Sequence, residues 1–429
     1  MIRTFLIVGG ASAYAPGLVK ALIEESDRHD LNLVRLYDIA PERLQIVEAL
    51  CRKMSSAAGT PFRIEATTDQ SDAVQDIDGL LNSSRPGGFE CRQIDETLPL
   101  GFGIPGQETV GPGGFFFALR SIPAALELAA DVAKYAPDAI WLNYTNPTNI
   151  VAQALYDETD LDVIALCDQS DEDLRALADA LGHSKQAEYS FSCSGLNHAT
   201  WYRDIRIDGE PIEGRIGDLE APEYYDEEHK MRFRYSAMMA KNQGGMWPNS
   251  YLPYYDNSRA FVDLAKEQGT RTEAILKGLD DYYGHFRMEA QWEVPDLKYH
   301  RGSSGFGDMA ADIVAALSSH EPTEHVLNVA NQGLNEEFDD ATVVEAFVGV
   351  SAAGVERSSA PPVPKSSLPL LKELEEYQRR TAEAAVSGRE DEMIRSLAAN
   401  PQVENTSVAK EMLHSARKRY GASLPQFQH

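Results

Sequence analysis

Short apolar runs alternate with amphipathic stretches through the first two hundred residues of the chain. A short apolar run predicts a buried strand, while apolar positions three and four residues apart predict one face of a helix. The predicted strands are Thr4–Val8, Leu33–Tyr37, Gly79–Asn82, Ala139–Tyr144 and Val163–Leu166. The predicted helices are Pro16–Glu25, Pro41–Ser55, Ser121–Tyr135 and Glu172–Leu181. Strands that alternate with helices indicate an α/β fold with a doubly wound parallel sheet.

The regular alternation ends near Asn197, where segments rich in tryptophan and tyrosine begin. A strand-like apolar run follows at Val343–Val350, and a charged helical pattern begins at about Leu368. We therefore predict two domains. Residues 1–195 form the doubly wound domain, and residues 196–429 form a mixed α/β domain with a helical C-terminus. The site is expected in the crevice between them.

Composition narrows the classes of partner. The chain has 429 residues and a formal net charge of −28, which disfavours nucleic acid and anionic membranes as partners. No apolar run approaches the roughly 20 residues that span a bilayer. The four cysteines have no paired metal or redox spacing, as expected for reduced thiols. These features predict a cytoplasmic protein that acts on small molecules.

A glycine turn follows the first predicted strand. It reads Gly9-Gly10-Ala11-Ser12-Ala13-Tyr14-Ala15-Pro16 and leads into a helix. Such turns let the backbone approach a pyrophosphate at a helix N-terminus, although this one lacks the full G-x-G-x-x-G pattern. Asp38 ends the second strand, where an acid binds the ribose 2′-hydroxyl and rejects a 2′-phosphate. Turn and acid together predict a Rossmann-like domain that binds NAD, and on their own they suggest a dehydrogenase.

The segment from residue 85 to residue 120 changes that interpretation. It reads Arg85-Pro-Gly-Gly-Phe-Glu-Cys-Arg92, then Asp95-Glu96, then Gly106-Gln-Glu-Thr-Val-Gly-Pro-Gly-Gly114 and Ala118-Leu-Arg120. Further motifs follow in order: Asn143-Tyr-Thr-Asn146-Pro147, Cys167-Asp168, Gly195-Leu-Asn-His198, Pro248-x-x-Tyr251-Leu-x-Tyr254-Tyr255, Arg301-Gly and Asn400-Pro-Gln-Val. This ordered set, which spans nearly the whole chain, resembles glycoside hydrolase family 4.

The resemblance implies an unusual glycosidase. Members of this family depend on NAD and do not use a pair of carboxylates. The family mechanism implies that NAD⁺ takes a hydride from sugar C3, after which the C2 proton is removed and the C1 substituent is eliminated. Water then adds and the hydride returns. A divalent cation, usually Mn²⁺, stabilises the charge on the sugar oxygens. The cofactors implied here are NAD and Mn²⁺ or another divalent cation.

The resemblance also assigns roles to residues around the metal. It implies that Cys167 and His198 bind the cation, although their residue types alone favour a buried thiol and a hydrogen-bonded imidazole. Asp168 is the implied acid for the leaving oxygen; without the resemblance it is read as a helix N-cap. Tyr251 is the implied base at C2, with Tyr254 and Tyr255 as rivals.

Substrate-binding residues are implied in the same way. Arg92 and Arg301 are candidates for an anion such as a 6-phosphate, because guanidinium groups match phosphate oxygens. Asn146 is the candidate for sugar hydroxyls, and Glu108 for a carboxylate that supports the metal from outside its ligands. Ser303 and Ser304 replace small glycines of the family.

Several alternatives stay open. Asp168 is similar to the 6-phospho-α-glucosidase type, but Gln169-Ser170 replaces the usual Met-Pro of that type, so either linkage is possible. The same mechanism could act on an unphosphorylated glucoside, galactoside or uronide. An NAD-dependent 2-hydroxy-acid dehydrogenase and a non-catalytic NAD-binding regulator are the remaining alternatives. The family suggests a homodimer or homotetramer.

Overall fold

One long mixed sheet runs through the molecule and carries helices on both faces. The computed structural model describes residues 2–184, 186–216, 219–298, 300–301 and 306–427. Within these residues the sheet has 13 strands. Its first six strands are β1 (Thr4–Val8), β2 (Leu33–Tyr37), β3 (Arg63–Thr67), β4 (Gly79–Asn82), β5 (Ile140–Asn143) and β6 (Val163–Leu166).

These six strands are parallel and lie in the order β3-β2-β1-β4-β5-β6. The helices that connect or follow them are α1 (Ala15–Glu24), α2 (Pro41–Ala57), α3 (Gln70–Ala73), α4 (Gly88–Leu100), α5 (Gly111–Tyr135), α6 (Thr148–Glu158) and α7 (Gln169–Ala180). This strand order is that of a dinucleotide-binding domain, whose ligands bind at the carboxyl ends of the strands. The predicted Rossmann-like parallel sheet is confirmed.

The second part of the chain extends the same sheet with antiparallel strands. They are β7 (Tyr189–Leu196), β8 (Ala199–Ile207), β9 (Glu210–Pro211), β10 (Trp247–Pro248), β11 (Thr323–Ala330), β12 (Val343–Ser351) and β13 (Gly354–Arg357). The helices are α8 (Glu227–Asn242), α9 (Pro253–Asp256), α10 (Ser258–Gln268), α11 (Arg271–Glu289), α12 (Phe306–Ala316), α13 (Leu368–Ser387), α14 (Glu390–Ala399) and α15 (Thr406–Tyr420). The predicted mixed α/β part with a helical C-terminus is confirmed.

The core lies on both faces of the sheet. Along β1, Phe5 and Ile7 pack into one apolar cluster, whereas Leu6 and Val8 pack into another. Alternate residues of a strand point to opposite faces, so β1 is apolar from Phe5 to Val8 because helices cover both sides. The C-terminal helices return to the first part of the chain, where α13 packs on α5 and α6.

Some elements differ from the prediction. The strand β3 was not predicted, because its sequence is largely polar and only Ile64 is buried. The helix α5 begins at Gly111, ten residues before the predicted start at Ser121, because the glycine-rich run resembles a loop in sequence. The division at residue 195 stays a prediction; it falls at the end of β7, inside the continuous sheet. No helix among the described residues is long and apolar enough to cross a membrane.

Candidate active site

The turn after β1 presses the backbone against the neighbouring strands. Gly9 has a φ of +85°, and a Cβ there would lie 3.0 Å from the Ser83 carbonyl oxygen. A Cβ on Gly10 would lie 2.8 Å from the Cβ of Leu36. The amides of both glycines donate to the carbonyl of Tyr37. Only glycine fits these two positions, so the turn lies flat on β2 and α1 starts directly beyond it.

Ser12 lies on this turn, and Asp38, which follows β2, contacts it. Oδ2 of Asp38 accepts from the Ala11 amide at 3.1 Å, and Oδ1 accepts from the Ala40 amide at 3.0 Å. Partial burial raises the pKa of Asp38 above its ordinary value, against these hydrogen bonds. The Ser12 hydroxyl is buried and has no hydrogen-bond partner within the described residues. A buried hydroxyl of this kind needs a partner, so the turn fits a ligand that supplies polar oxygens, as a dinucleotide does.

Residues from the second part of the chain cover the turn. The Tyr283 hydroxyl, on α11, donates to the Ala11 carbonyl at 2.8 Å. The Arg301 amide donates to the Ala13 carbonyl at 3.2 Å, and its guanidinium lies 4.6 Å from the centre of the Tyr14 ring. No motif in the sequence points to Tyr283. Ser303 and Ser304 lie outside the described residues.

The glycine-rich loop before α5 is closely packed. A Cβ on Gly106 would lie 2.0 Å from the Glu96 carbonyl oxygen, and one on Gly113 would lie 2.1 Å from the Gln107 carbonyl oxygen. Either contact would displace the backbone, because real Cβ atoms do not approach oxygen so closely. The loop thereby brings the Thr109 hydroxyl to 3.3 Å from Nδ1 of His198.

Cys167 and His198 meet at the end of β6. The Cys167 sulfur lies 3.6 Å from Nε2 of His198, although 31 residues separate them in the chain. His198 occupies the turn between β7 and β8 with a φ of +63°. Burial raises the pKa of the Cys167 thiol well above its ordinary value and lowers the pKa of His198 to about 3 in the protein alone.

These two side chains fit a divalent cation. Thiolate and imidazole are suitable donors for a borderline ion. Across the described part of the chain, no three His, Cys, Asp or Glu side chains are grouped so as to hold a metal ion. A cation bound by Cys167 and His198 would therefore take its other ligands from water or from a substrate, which is how catalytic sites keep open positions.

Asp168 directly precedes α7 and follows Cys167 in the chain. The Tyr144 hydroxyl donates to its Oδ1 at 2.5 Å. Burial raises the pKa of Asp168 to about 8, and Glu172 and Asp171 add to the shift against the Tyr144 hydrogen bond. Asp168 occupies the N-cap position of α7, but its side chain makes no capping hydrogen bond to that helix.

Tyr251 lies between His198 and an arginine. Its ring stacks on the His198 ring with centroids 4.0 Å apart and an interplanar angle of 12°. The Arg232 guanidinium lies 4.1 Å from the centre of the Tyr251 ring. Burial raises the pKa of the phenol, while Arg232 and Arg271 lower it.

The two rival tyrosines have different surroundings. The Tyr254 hydroxyl donates to Glu228. Tyr255 packs against the cluster of Val110, Tyr254 and Phe261. Burial raises the pKa of both phenols. We call Cys167 and His198 the candidate metal pair. Of the three tyrosines, Tyr251 alone stacks on the imidazole of this pair.

Arg232 is itself held firmly. Its Nε donates to the Ser250 carbonyl at 3.0 Å, and its Nη2 donates to the Ser250 hydroxyl. The Ser250 amide in turn donates to Asp173 at 3.0 Å. Burial raises the pKa of Asp173 to about 6, against the attraction of Arg232. The charge over Tyr251 is therefore part of a buried network.

Glu108 sits among arginines. It pairs with Arg85, and its Oε1 lies 3.1 Å from Nη1 of Arg92. Burial opposes ionisation of Glu108, but Arg85 and Arg92 outweigh it and hold the pKa at about 2. Arg92 also donates to Glu96 at 2.9 Å and is 3% exposed. Burial lowers the pKa of Arg301, and the nearby Arg92 and Arg85 charges add to this effect.

Asn146 lies between β5 and α6. Its Oδ1 accepts from the Thr148 amide and hydroxyl, each at 3.3 Å, and its carbonyl accepts from Ser121 at 3.0 Å. The Asn146–Pro147 peptide bond is cis. The side chain is half-buried, and its position after a central parallel strand is the expected one for a ligand-binding residue.

The predicted residues thus form two adjoining groups. The first contains Gly9, Gly10, Ser12, Tyr14 and Asp38, and the second contains Cys167, Asp168, His198 and Tyr251. Arg301 and Glu108 link them, because the Arg301 guanidinium covers Tyr14 and acts on Glu108, whose charge in turn acts on His198. Sequence reasoning missed Tyr144 and Arg232. Tyr144 lies inside the N-x-T-N-P motif, a usable signal, but nothing in the sequence ties Arg232 to Tyr251.

Comparisons with known proteins point to one family. A sequence model described as family 4 glycosyl hydrolase matches residues 4–182, and the model of that family's C-terminal domain matches residues 193–403. A probable 6-phospho-β-glucosidase of Bacillus subtilis is 29% identical and covers 98% of this chain and 97% of its own length. A 6-phospho-α-glucosidase of Leptotrichia buccalis is 26% identical and covers 96% of each chain.

A solved structure shares the whole fold. It is a 6-phospho-α-glucosidase from gut microorganisms in complex with NAD and Mn²⁺. It superposes with a TM-score of 0.89 at 24% identity and covers 99% of both chains. The resemblance stated from the motifs is confirmed by these matches.

Proposed function

We propose that this chain, which belongs to the family 4 glycosyl hydrolases, hydrolyses a 6-phosphorylated glucoside with NAD and a divalent cation, Mn²⁺, as cofactors. The observation that carries the proposal is the convergence of Cys167, His198 and Tyr251. A thiol 3.6 Å from an imidazole, with a phenol stacked on that imidazole, has no evident use in a simple dehydrogenase. It suits removal of a proton next to a metal-bound sugar.

Separate sets of residues would bind the two cofactors. The turn at Gly9 and Gly10, the Ser12 hydroxyl and Asp38 would hold the dinucleotide. Cys167 and His198 would hold the cation, with Glu108 nearby as a charge fixed by arginines. When bound, NAD accepts a hydride from sugar C3 and later returns it, and the cation stabilises negative charge on the sugar oxygens.

Two side chains would move protons. Tyr251 would remove the proton from sugar C2, and Arg232 beside its ring would favour the phenolate. Asp168 would protonate the leaving oxygen at C1 from its place beside Cys167. Tyr144 would orient that carboxyl through its hydroxyl. Asn146 would bind a sugar hydroxyl at the end of β5.

An excess of positive charge supports an anionic substrate. Arg85, Arg92 and Arg301 lie around Glu108, so the group carries more positive than negative charge. This contrasts with the net charge of −28 over the whole chain. Guanidinium groups match phosphate oxygens in geometry as well as in charge. We therefore assign the 6-phosphate to this group, with Arg301 as its principal ligand, because Arg92 already pairs with Glu96 and Glu108.

The deciding experiment is hydrolysis of p-nitrophenyl α- and β-glucosides, each with and without a 6-phosphate. The assay contains NAD⁺, Mn²⁺ and a thiol reductant. We expect nitrophenol from one phosphorylated anomer, and no release after EDTA treatment or after removal of NAD. Release only from an unphosphorylated glycoside would contradict the phosphate assignment while keeping the mechanism.

The same assay separates this proposal from a dehydrogenase. A redox-neutral glycosidase returns the hydride in every turnover, so absorbance of NADH stays flat while nitrophenol accumulates. A 2-hydroxy-acid dehydrogenase would instead build up NADH in proportion to product. NADH that accumulates on a hydroxy acid, without glycoside cleavage, would overturn the proposal.

We also propose that the enzyme is cytoplasmic and a homodimer or homotetramer. The thiolate that the proposed metal site needs is preserved in a reducing compartment. Light scattering during gel filtration measures the mass directly, and a mass of about 47 kDa would contradict the oligomer.

A further inference from the structure

A buried carboxylate lies beside the candidate metal pair without contacting it. Glu345, near the start of β12, is 2% exposed. Its Oε1 accepts from Asn197 Nδ2 at 2.8 Å and from Asn328 Nδ2 at 3.1 Å, and its Oε2 accepts from the Thr200 hydroxyl. All three donors are themselves buried. Every hydrogen bond to this carboxylate therefore comes from the protein interior.

Two of the three donors belong to the turn that carries His198. Asn197 precedes His198, and Thr200 follows it by two residues at the start of β8. His198 itself has a φ of +63°, a conformation that costs a non-glycine residue free energy. Glu345 thus binds the strained turn on both sides of His198 and thereby restrains the position of the imidazole.

The Asn197 side-chain amide also connects Glu345 to Cys167, the other candidate ligand. The Asn197 side chain also acts on the Cys167 sulfur, where it lowers the pKa of the thiol against the larger effect of burial. A single amide therefore links the Glu345 carboxylate to the candidate thiolate ligand, while the next residue in the chain supplies the imidazole. Glu345 acts on both candidate ligands through one neighbour.

Burial of a carboxylate costs free energy unless hydrogen bonds or a counter-charge compensate it. Apolar side chains stabilise the interior of a sheet without that cost. Groups that orient metal ligands from outside are the usual reason for such a carboxylate, since they fix ligand geometry and strengthen the binding of a cation. Burial raises the pKa of this carboxyl, while the three donors oppose that shift and favour the ionised form. A negative charge at this depth would attract a divalent cation held by Cys167 and His198.

We propose that Glu345 is the positioning residue of the metal site, which it builds by holding Asn197 and the His198 turn and strengthens by its charge. This inference rests on the proposed function, because it presumes that Cys167 and His198 bind the cation. It adds a residue from β12, which no motif of the metal site includes.

The variant that tests the charge is Glu345→Gln. Its side-chain oxygen can still accept from Asn197 and Asn328. Its amide can donate to the Thr200 hydroxyl, which can turn its own proton to the Leu196 carbonyl 3.0 Å away. The shape and the hydrogen bonds are therefore kept, and mainly the charge is removed. Loss of such a supporting group typically lowers metal affinity about 10- to 100-fold.

The measurement is Mn²⁺ affinity of the full chain with NAD bound, followed by the electron paramagnetic resonance of free Mn²⁺. Substitution by Co²⁺ adds a second readout, because a thiolate–Co²⁺ bond gives a near-ultraviolet charge-transfer band. We expect Glu345→Gln to weaken Mn²⁺ binding about 10- to 100-fold with NAD affinity unchanged. Asn197→Ala, which removes the link to Cys167, should weaken Mn²⁺ binding and shift the Co²⁺ band.

Glu375→Gln is the matched control. Glu375, on α13, is also buried, and its Oε1 accepts from the Asp339 amide and the Thr342 hydroxyl, each at 2.8 Å. Its partners are Asp339, Thr342 and Lys372, none of which adjoins Cys167 or His198 in the chain, so its loss should leave Mn²⁺ affinity unchanged. The control separates loss of a buried charge in general from loss of this one.

Two results would overturn the inference. If Glu345→Gln folds and binds Mn²⁺ as tightly as the parent, or if Glu375→Gln weakens Mn²⁺ binding equally, Glu345 has no special role. If Glu345→Gln does not fold, Asn197→Ala decides by the same readouts. If the Cys167→Ser variant binds Mn²⁺ as tightly as the parent, the metal assignment in the proposed function is wrong, and this inference fails with it.

Discussion

The dinucleotide turn and the metal region are built in opposite ways. Gly9, Gly10, Ser12 and Tyr14 lie in one stretch of six residues, and Asp38 follows on the neighbouring strand. Cys167, His198 and Tyr251 come from three separate segments and meet only through the fold. The first region is a local motif that a parallel sheet presents, whereas the second is an assembly of long-range contacts.

This difference predicts how the two regions respond to substitution. A substitution in the dinucleotide turn should change the free energy of NAD binding by about that of one hydrogen bond, because the backbone of the turn still forms the binding site. A change in the assembled region should abolish the chemistry while NAD still binds. The separation can be tested with four substitutions, each measured for turnover, Mn²⁺ affinity and NAD affinity.

Cys167→Ser should have the largest effect. Serine is a poor ligand in place of a thiolate, so both Mn²⁺ binding and turnover should be lost, with turnover reduced by more than about 10⁴-fold. NAD affinity, measured by fluorescence titration, should stay within about twofold. Turnover at the parent rate would remove Cys167 from the metal site, and a parallel loss of NAD binding would show that the two regions are not separate.

Tyr251→Phe should reduce kcat by about 10²- to 10⁴-fold, the usual contribution of a positioned proton-transfer group. The ring still stacks on His198, so Mn²⁺ affinity should change little. Exchange of the C2 proton with solvent deuterium, followed by NMR, should disappear together with turnover.

Tyr255→Phe is the control for this substitution. It removes the same hydroxyl from a neighbouring ring that does not stack on His198, so kcat should be nearly unchanged. If Tyr255→Phe loses C2 exchange and Tyr251→Phe keeps it, the assignment of the base is reversed.

Asp38→Ala should act on the other region. Hydrogen bonds to a charged group contribute about 1.5–3 kcal/mol, so NAD affinity should fall about 10- to 150-fold. NADP⁺ should bind better relative to NAD⁺ than in the parent, because the repulsion of a 2′-phosphate is gone. Isothermal titration with both nucleotides measures the ratio. Unchanged discrimination would show that Asp38 only anchors the Ala11 and Ala40 amides.

Ser12→Ala should have the smallest effect of the four. A neutral hydrogen bond contributes about 0.5–1.5 kcal/mol, so we expect NAD affinity to fall about 2- to 12-fold with kcat unchanged at saturating NAD. Equal or tighter NAD binding would mean that the buried Ser12 hydroxyl does not face the nucleotide.

Much of the first region was open to prediction from the chain alone. The strands that end at Val8 and Tyr37 were predicted with their exact bounds, because apolar runs covered on both faces differ clearly from their surroundings. Glycines at positions 9 and 10 indicated a close backbone approach, which the Cβ contacts explain. The edge strand β3 was missed because it has one buried residue and therefore little pattern.

For the second region, the motifs identified individual residues but not their arrangement in space. The motifs singled out Cys167, His198 and a choice of three tyrosines, yet only the stacking of Tyr251 on His198 separates that ring from Tyr254 and Tyr255. Arg92 was expected to be available to an anion, whereas the fold pairs it with Glu96 and Glu108. Its role toward a substrate stays a prediction.

The sequence by itself determined the parallel sheet, the dinucleotide turn and the family, because these depend on short-range patterns of apolar residues, glycines and ordered motifs. The tertiary structure decided which side chains share an environment. Arg232 lies over Tyr251, and Glu345 reaches Cys167 through Asn197, at separations along the chain that no local pattern encodes. The physical reason is that burial and charge, which control ligands and proton transfer, depend on neighbours in space rather than on neighbours in sequence.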